Sequence, residues 1–318
     1  MRILTVGGTG YIGSRLYEHL KTAHHDVKSI DLQWFGNPGS VPNVRQDYQM
    51  LNWVVLQEFD AVVLLAGHAS VPMCRDSGIA VHHNNVLKFV GLLNKLKDMG
   101  AKAPKLVYAS TASIYGGLGR SCEETEDMVR PQNYYDLSMW ERDQYARMSG
   151  VDCYGLRFGT VNGWSPNFRV DIMLNKMYHD ALTSSSIEVQ NPGTWRPILA
   201  IQDLCSAVQT ILESSVKAPG VYNLCSFNAT VAELARITED VTGTNIRWGN
   251  PSHTYDMKIS IDKIRSIFGW GPGFQDGYDI LKELAYEYRP GEHQHRSYPE
   301  WGFGPVTGAE RLYEVPFL

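Results

Sequence analysis

Apolar residues follow two rhythms along this chain. A short, nearly continuous apolar run at 1–6, rich in β-formers, gives way to glycines and then to a stretch at 11–20 whose apolar positions recur every three to four residues. A continuous run bounded by turn residues reads as a strand buried on both faces, and the longer recurrence as a helix with one apolar face. The alternation repeats, with strands at 27–32, 61–65, 105–110 and 153–158 and helices at 86–99 and 135–149. Strands separated by helices predict a parallel sheet covered on both faces, an α/β doubly wound arrangement. Beyond position 157 the regularity loosens: 162–169 is loop-like, 171–183 an amphipathic helix, with short strands near 198 and 221 and helices at 231–242 and 277–288.

The 318 residues, 43% of them hydrophobic, suffice for a sizeable core. The formal net charge is -5 and no run of lysine or arginine tracks a phosphate backbone, so neither nucleic acid nor an anionic membrane is an expected partner. A small nucleotide-like ligand fits better. Five cysteines at 74, 122, 153, 205 and 225 form no CxxC pair and read as buried or free thiols of a reducing compartment. The chain opens directly on a strand, without the features of a signal peptide, and no apolar run approaches the roughly 18 residues of a membrane span. A cytoplasmic location is the expectation. The paired histidines at 24 and 25, 82 and 83, and 293 with 295 lack metal-ligand spacing, so no metal site is assigned.

The glycines of GGTGYIG at 7–13 change the picture most. Gly7, Gly10 and Gly13 lie between a predicted strand and a predicted helix whose first turn carries Tyr11 and Ile12. Backbone without side chains turns sharply and approaches a pyrophosphate closely, and the helix start supplies free N–H groups. Glycines alone would make only a tight turn. Asp31, 18 residues after Gly13 at the end of the second strand, adds a carboxylate placed to accept from an adenosine ribose and to repel a 2′-phosphate. NAD is therefore expected rather than NADP, with Arg15 the one residue pointing the other way.

The GxxGxxG spacing resembles that of the extended short-chain dehydrogenase/reductases, in the nucleotide-sugar epimerase/dehydratase branch of the UDP-glucose 4-epimerase type. Further segments carry the resemblance over residues 1 to 290: Asp47; LLAGHAS at 64–70, with Leu65, Ala66, Gly67 and Ser70; Asn85; LRFGTVNG at 156–163, with Thr160; WRPILAIQDL at 195–204, with Arg196; YNLCS at 222–226 and FGWGP at 268–272. It implies a Rossmann domain over 1–165 that takes back segments near 195–225, a smaller α/β substrate-binding cap over 166–290, and a C-terminal extension over 291–318 of no assigned role. It also implies NAD along the glycine bend, with Asp47 at the adenine amine and Leu65, Ala66, Gly67, Asn85, Ser110 and Tyr135 along the cofactor. A nucleoside-diphosphate sugar lies opposite, met by Ser70, Thr111, Ser113, Thr160 and Arg196, and two chains pair through the helices at 86–99 and 135–149.

The resemblance reaches the chemistry with one departure. YASTASIYG at 108–116 looks like the strand that carries the catalytic Ser or Thr, here Thr111, whose hydroxyl is suited to polarising a sugar oxygen. Ala112 and Ser113 stand where the family's 4,6-dehydratases carry Asp-Glu, which disfavours elimination. PQNYYDLSMWE at 131–141 resembles the Tyr-x-x-x-Lys segment with Tyr135 as tyrosine, but the lysine position is Met139. Four residues on along a helix, that lysine would hold the nicotinamide ribose and favour tyrosinate. A free tyrosine with a pKa of about 10 is about 0.1% ionised at neutral pH, so acting as a base starts about 4 kcal/mol uphill, while donating a proton is unharmed.

Three explanations stay open: another cation substitutes, with Arg142 on nearly the same helical face; the enzyme runs mainly as a reductase; or catalysis is lost. Arg196 matches an arginine that reaches the sugar-nucleotide diphosphate. Arg157 and Asp203 are set between ligand binding and a structural pairing, and Cys122 and His179 between acid/base work and ordinary packing. The expected function is an NAD-dependent epimerase acting by transient hydride transfer at a sugar carbon, C4 first. The alternatives are a 4-keto-sugar reductase and a non-catalytic NAD(H)-binding regulatory or scaffold protein.

Overall fold

The computed structural model describes residues 1–118, 120–125 and 128–291. In chain order the first half runs β1 (Arg2–Val6), α1 (Tyr11–Thr22), β2 (Asp26–Ile30), α2 (Trp53–Leu56), β3 (Ala61–Leu64), α3 (Gly78–Val81), α4 (Lys88–Met99), β4 (Lys105–Thr111), β5 (Ser121–Cys122), α5 (Tyr134–Ser149), β6 (Cys153–Phe158) and β7 (Thr160–Asn162). The second half continues α6 (Met173–Thr183), β8 (Ser186–Val189), β9 (Trp195–Ala200), α7 (Ile201–Glu213), β10 (Gly220–Leu224), β11 (Phe227–Thr230), α8 (Val231–Thr242), β12 (Asn245–Trp248), β13 (Lys258–Ile259), α9 (Asp262–Phe268) and α10 (Gly277–Glu287).

The alternation of strand and helix produces the doubly wound sheet it predicts. Six parallel strands lie in the order β10-β6-β4-β3-β1-β2. Successive strand residues face opposite layers: Ile3, Val63 and Val107 join one apolar cluster with Leu16 and Leu20 of α1, while Leu4, Val62 and Leu106 join another with Phe89, Leu92 and Leu96 of α4. The chain leaves β1 for β2 on one side and then crosses to β3 on the other. That reversal opens a crevice beyond the carboxyl ends of β1 and β3, where ligands of open α/β sheets bind.

Three details differ from the sequence reading. The helix expected at 86–99 starts at Gly78, capped by the Ser77 side chain, and passes through a π-helical turn, His82–Leu87, before α4. His82, His83, Asn84 and Asn85 are poor helix formers, which hides the earlier start. Of the returning segments, β10 joins the main sheet, but β9 joins a small sheet ordered β11-β9-β7. Arg157 and Asp203 each have buried structural partners, though not one another: Arg157 donates to Asp143 at 2.8 Å, and Asp203 accepts from Ser226 Oγ at 2.5 Å and the Gly273 N–H at 2.7 Å. All five cysteines are free and buried. Cys122 sits in β5, and His179 Nδ1 meets the Tyr288 hydroxyl at 2.5 Å. Among the described residues no helix is long and apolar enough to cross a membrane. Residues 292–318 of the expected extension lie outside the described residues.

Candidate active site

The carboxyl ends of β1, β3 and β4 border a cleft of about 470 Å³, within the range of small-molecule sites. Its first wall is main chain. Gly7 has φ +89°, and a side-chain carbon there would lie 2.7 Å from Ala66 N; one at Gly13 would lie 2.1 Å from the Gly7 carbonyl oxygen. No other residue fits either position. At Gly10 the nearest atom to such a carbon, the Gly7 carbonyl oxygen, is 3.4 Å away, an ordinary contact. Tyr11, Ile12 and Gly13 line the cleft at the start of α1, which has no side-chain cap. First-turn N–H groups and the positive end of the helix dipole thus face the space into which a pyrophosphate fits.

Two carboxylates border this wall. Asp31 accepts the Gln33 N–H at 2.7 Å and the Thr9 N–H at 3.1 Å, which pins it at the end of β2 with lone pairs to spare. Asp47 is buried, caps the Gln49 N–H at 2.9 Å and pairs with Lys88 Nζ at 2.5 Å. Lys88, a positive charge on the cleft wall, escaped the sequence reading because its partner lies 41 residues away. Leu65, Ala66, Gly67, Ser70 and Ser110 line the cleft. Asn85 lies behind it: fully buried, its Oδ1 accepts the His68 N–H at 2.8 Å and its Nδ2 donates to the His68 carbonyl and to Ser138 Oγ, both at 3.1 Å. It fixes the chain just past β3 instead of facing a ligand. Burial, with Lys88 nearby, pushes the His68 imidazole down to about 4.

The other end of the cleft is made of side chains. Tyr135, on the first turn of α5, lines it, whereas its neighbour Tyr134 is 53% exposed outside. Burial pushes the pKa of the Tyr135 hydroxyl up to about 12, with the nearby Thr111 side chain acting the other way. Thr111 meets Ser113 Oγ at 3.0 Å, and Ser113 Oγ donates to Asp136 Oδ1 at 2.6 Å. From the cap side Thr160, Arg196, Arg169, Asp171 and Tyr255 complete the lining. Arg196 donates to Thr160 Oγ1 at 3.2 Å and Thr254 Oγ1 at 3.1 Å, while its Nε has no partner. Arg169 grips Asp171 with two hydrogen bonds, at 3.0 and 2.6 Å.

Met139 is not on the wall. It is buried in the core, one helical turn behind Tyr135, and Arg142 Nη1 lies 3.6 Å from its sulfur. Arg142 is 1% exposed, sits 4.9 Å from the Phe89 ring centroid, and leaves Nε and Nη2 without acceptors. Among the described residues no carboxylate lies within ion-pair distance of it. The sequence singled out Arg142 by helical phase but gave no sign that its charge is uncompensated. Asp136, Arg169 and Tyr255 were missed because their importance depends on contacts between distant segments.

A glycine bend opening a helix at the switch point of a doubly wound sheet defines a dinucleotide-binding Rossmann-type protein. The chain belongs to the NAD dependent epimerase/dehydratase family, which it matches over residues 3–225, and it is an enzyme with NAD as its cofactor. It is 27% identical to a UDP-glucose 4-epimerase of Lacticaseibacillus casei, covering 96% of this chain and 99% of that protein. It is 23% identical to UDP-glucuronic acid decarboxylase 1 of Xenopus tropicalis, covering 92% and 73%. Its fold is similar to that of a UDP-glucuronic acid 4-epimerase from Bacillus cereus solved with UDP-glucuronic acid and NAD, with a TM-score of 0.75, 22% identity and coverage of 90% and 98%. A dTDP-glucose 4,6-dehydratase from Bacillus anthracis solved with NAD gives a TM-score of 0.77 at 21% identity, covering 91% and 97%.

Proposed function

We propose that, within this NAD-dependent epimerase/dehydratase class, the protein is a nucleoside-diphosphate-sugar epimerase that oxidises and re-reduces one sugar carbon, C4 in the first instance. NAD supplies a hydride acceptor and donor when bound. The glycine bend, Tyr11, Ile12 and Asp31 hold its pyrophosphate and adenosine ribose, Asp47 faces its adenine, and Leu65, Ala66, Gly67 and Ser110 flank the rest. Residues 1–165, with α7 and β10, form the dinucleotide half, and 166–290 mainly the sugar-nucleotide half. Ser70, Ser113, Thr160 and Arg196 meet the sugar nucleotide. The two curated relatives act, by their names, on UDP-sugars, which supports this substrate class. Two chains pair through α5 and the helix at 86–99, where Tyr134, Leu137 and Met148 on the first and Leu87 on the second are exposed apolar residues.

The observation that carries the reading is Tyr135 in the same cleft as Thr111, with Ala112 and Ser113 in place of a following Asp-Glu pair. Ketone reduction is the second reading, favoured by Met139 lying buried off the wall and by a Tyr135 hydroxyl pushed up to about 12, which keeps the proton that a forming alkoxide needs. Incubation with NAD and a panel of UDP-, GDP- and dTDP-sugars tests the proposal. A C4-inverted product is expected, lost by about 100-fold or more in Tyr135→Phe. Turnover of 4-keto-sugars with NADH but of no sugar with NAD selects the reductase. Cofactor binding with no reaction in either direction selects a non-catalytic protein, and an unchanged rate in Tyr135→Phe removes the assigned chemistry.

A further inference from the structure

Tyr11 faces two ways. Its backbone opens α1 at the glycine wall, while its side chain is buried and reaches the cap. The hydroxyl donates to the Gly163 carbonyl at 2.8 Å and accepts from Asn175 Nδ2 at 3.2 Å. Asn175, in the first turn of α6, is fully buried. Its Oδ1 accepts the Gly163 N–H at 2.9 Å, and its Nδ2 also donates to the Arg169 carbonyl at 3.0 Å. A phenol has one proton to give and an amide nitrogen two, so every donor in this knot is committed. The amide cannot flip, since only its oxygen can accept the Gly163 N–H and only its nitrogen can serve a carbonyl. Burial pushes the Tyr11 hydroxyl well above the usual tyrosine range, so it keeps the proton it gives to Gly163.

The knot holds the stretch of chain that builds the cap side of the cleft. Gly163 has φ +117° and turns the chain away from β7, and both its N–H and its carbonyl are taken by the knot. Before this turn Thr160 lines the cleft; after it Phe168, Arg169, Asp171 and Ile172 do. Asn162 repeats the device on the earlier side, accepting the Leu174 N–H at 2.9 Å and donating to the Thr160 carbonyl at 2.7 Å. The same segment grips the glycine bend: Ser165 Oγ donates to the Tyr11 carbonyl at 2.5 Å and Asn167 Nδ2 to the Thr9 carbonyl at 2.8 Å. Both take carbonyls, so the first-turn N–H groups of α1 stay open to a pyrophosphate.

We propose that the Tyr11 hydroxyl and Asn175 are positioning residues for the sugar nucleotide, although Tyr11 belongs to the glycine bend that serves the cofactor. The proposal rests on the nucleotide-sugar reading above. The cofactor meets Tyr11 through its main chain, because the phenol proton is committed to Gly163 and the ring is packed in the core. Deleting the hydroxyl leaves the Gly163 carbonyl and Asn175 Nδ2 each short of a partner inside the protein, where an unmade hydrogen bond is costly. The turn at 163 is then free to take other shapes. A segment that holds its binding shape for only part of the time binds its ligand more weakly by that fraction. The main-chain wall that faces the cofactor is unchanged by the deletion, so the two ligands of the cleft respond differently to one lost oxygen.

The NADH-loaded protein, which cannot oxidise an alcohol, is titrated by calorimetry with UDP-glucose, dTDP-glucose and GDP-mannose in turn, and NADH affinity is read separately by fluorescence. Tyr11→Phe should weaken the sugar nucleotide that wild type binds about tenfold, and NADH by less than about twofold. Asn175→Ala, which removes the acceptor for Gly163 and the donors to Tyr11 and Arg169, should weaken the sugar nucleotide further and spare NADH as well. In turnover, Tyr11→Phe should raise the sugar KM about tenfold while kcat stays within about twofold. Amide exchange at 163–169 should quicken in both variants and slow again when the sugar nucleotide is bound. A merely structural defect would loosen both ligands alike. Sugar-nucleotide affinity in Tyr11→Phe within about twofold of wild type, equal losses for the two ligands, or unchanged exchange at 163–169 overturns the proposal. Failure of the underlying reading looks different: wild type then binds none of the sugar nucleotides, which removes the sugar role even though exchange at 163–169 still quickens in Tyr11→Phe.

Discussion

The two ends of the cleft are built by opposite means. The glycine end is main chain: Gly7 and Gly13 allow the bend to pack on itself and on β3, the first turn of α1 offers N–H groups, and the charges beside it are already matched, Asp47 to Lys88 and Asp31 to two backbone donors. The Tyr135 end is side chain: a row of hydroxyls on a carboxylate, with Arg142 carrying a buried, uncompensated charge behind it. A site made of backbone leaves no room for an added atom, so its residues cannot vary. A site made of side chains admits exchanges, and here lysine is absent at 139 while a cation lies one turn further on.

The sharpest test of that contrast is Gly13→Ala. Its new carbon would sit 2.1 Å from the Gly7 carbonyl oxygen and 2.7 Å from Gly8 Cα, both backbone atoms that cannot swing aside. Dinucleotide binding, followed by NADH fluorescence, should be lost altogether. Gly10→Ala is the control: with 3.4 Å of clearance it should keep its unfolding midpoint near wild type and lose affinity alone. A Gly13→Ala protein that binds normally would break the comparison.

Met139→Lys probes the other end. The new ammonium would enter a buried region where Arg142 Nη1 lies 3.6 Å from the present sulfur and already lacks an anion. Two unpaired buried cations should cost about 3–5 kcal/mol in urea unfolding, and the double change Met139→Lys with Arg142→Ala should recover most of it. If Met139→Lys alone is as stable as wild type, Arg142 is not the competing charge.

The same contrast explains what was legible in the sequence. The glycine bend, Asp31 and the six-strand sheet follow from spacing and periodicity, because main-chain geometry leaves its mark within a few residues of its cause. The place of Tyr135 also follows, through the resemblance of 131–141 to the Tyr-x-x-x-Lys segment. Asp136 stands next to Tyr135 in the sequence and still went unread. Its bonds reach Ser113, 23 residues away, and Tyr255, 119 residues away. Lys88 and the orphaned nitrogens of Arg142 are likewise properties of packing between helices. The π-helical turn that presents Asn85 to the end of β3 leaves no periodic trace that distinguishes it from a poor helix start.

Between the two ends lies His68, whose Nδ1 is 3.1 Å from Asn84 Nδ2 and whose ring is 5.5 Å from that of Trp34. Burial pushes it down to about 4, below the unfolded value of about 6.5. The folded protein therefore holds it neutral while the unfolded chain takes up a proton first. Its share of stability is intact above pH 6.5 and lost as pH falls towards 4, about 3 kcal/mol at most. Urea unfolding at pH 7 and pH 4.5 should show a smaller acid loss in His68→Gln than in wild type. Equal losses would place the acid sensitivity elsewhere.

The smallest expected effect concerns the charge at the end of β2. Asp31→Ala removes an acceptor for a ribose hydroxyl and should weaken NAD about tenfold, or 1.4 kcal/mol. It also frees the Thr9 and Gln33 N–H groups that Asp31 now accepts, and loosening of the bend would weaken NAD and NADP alike. The ratio of the two affinities separates these effects, because only loss of the negative charge helps a 2′-phosphate. Asp31→Asn keeps an oxygen acceptor without the charge, so it should narrow the preference for NAD while retaining most of the absolute affinity. Tighter NAD binding in either variant, or a ratio that does not move, would show that the carboxylate serves the loop and not the ribose.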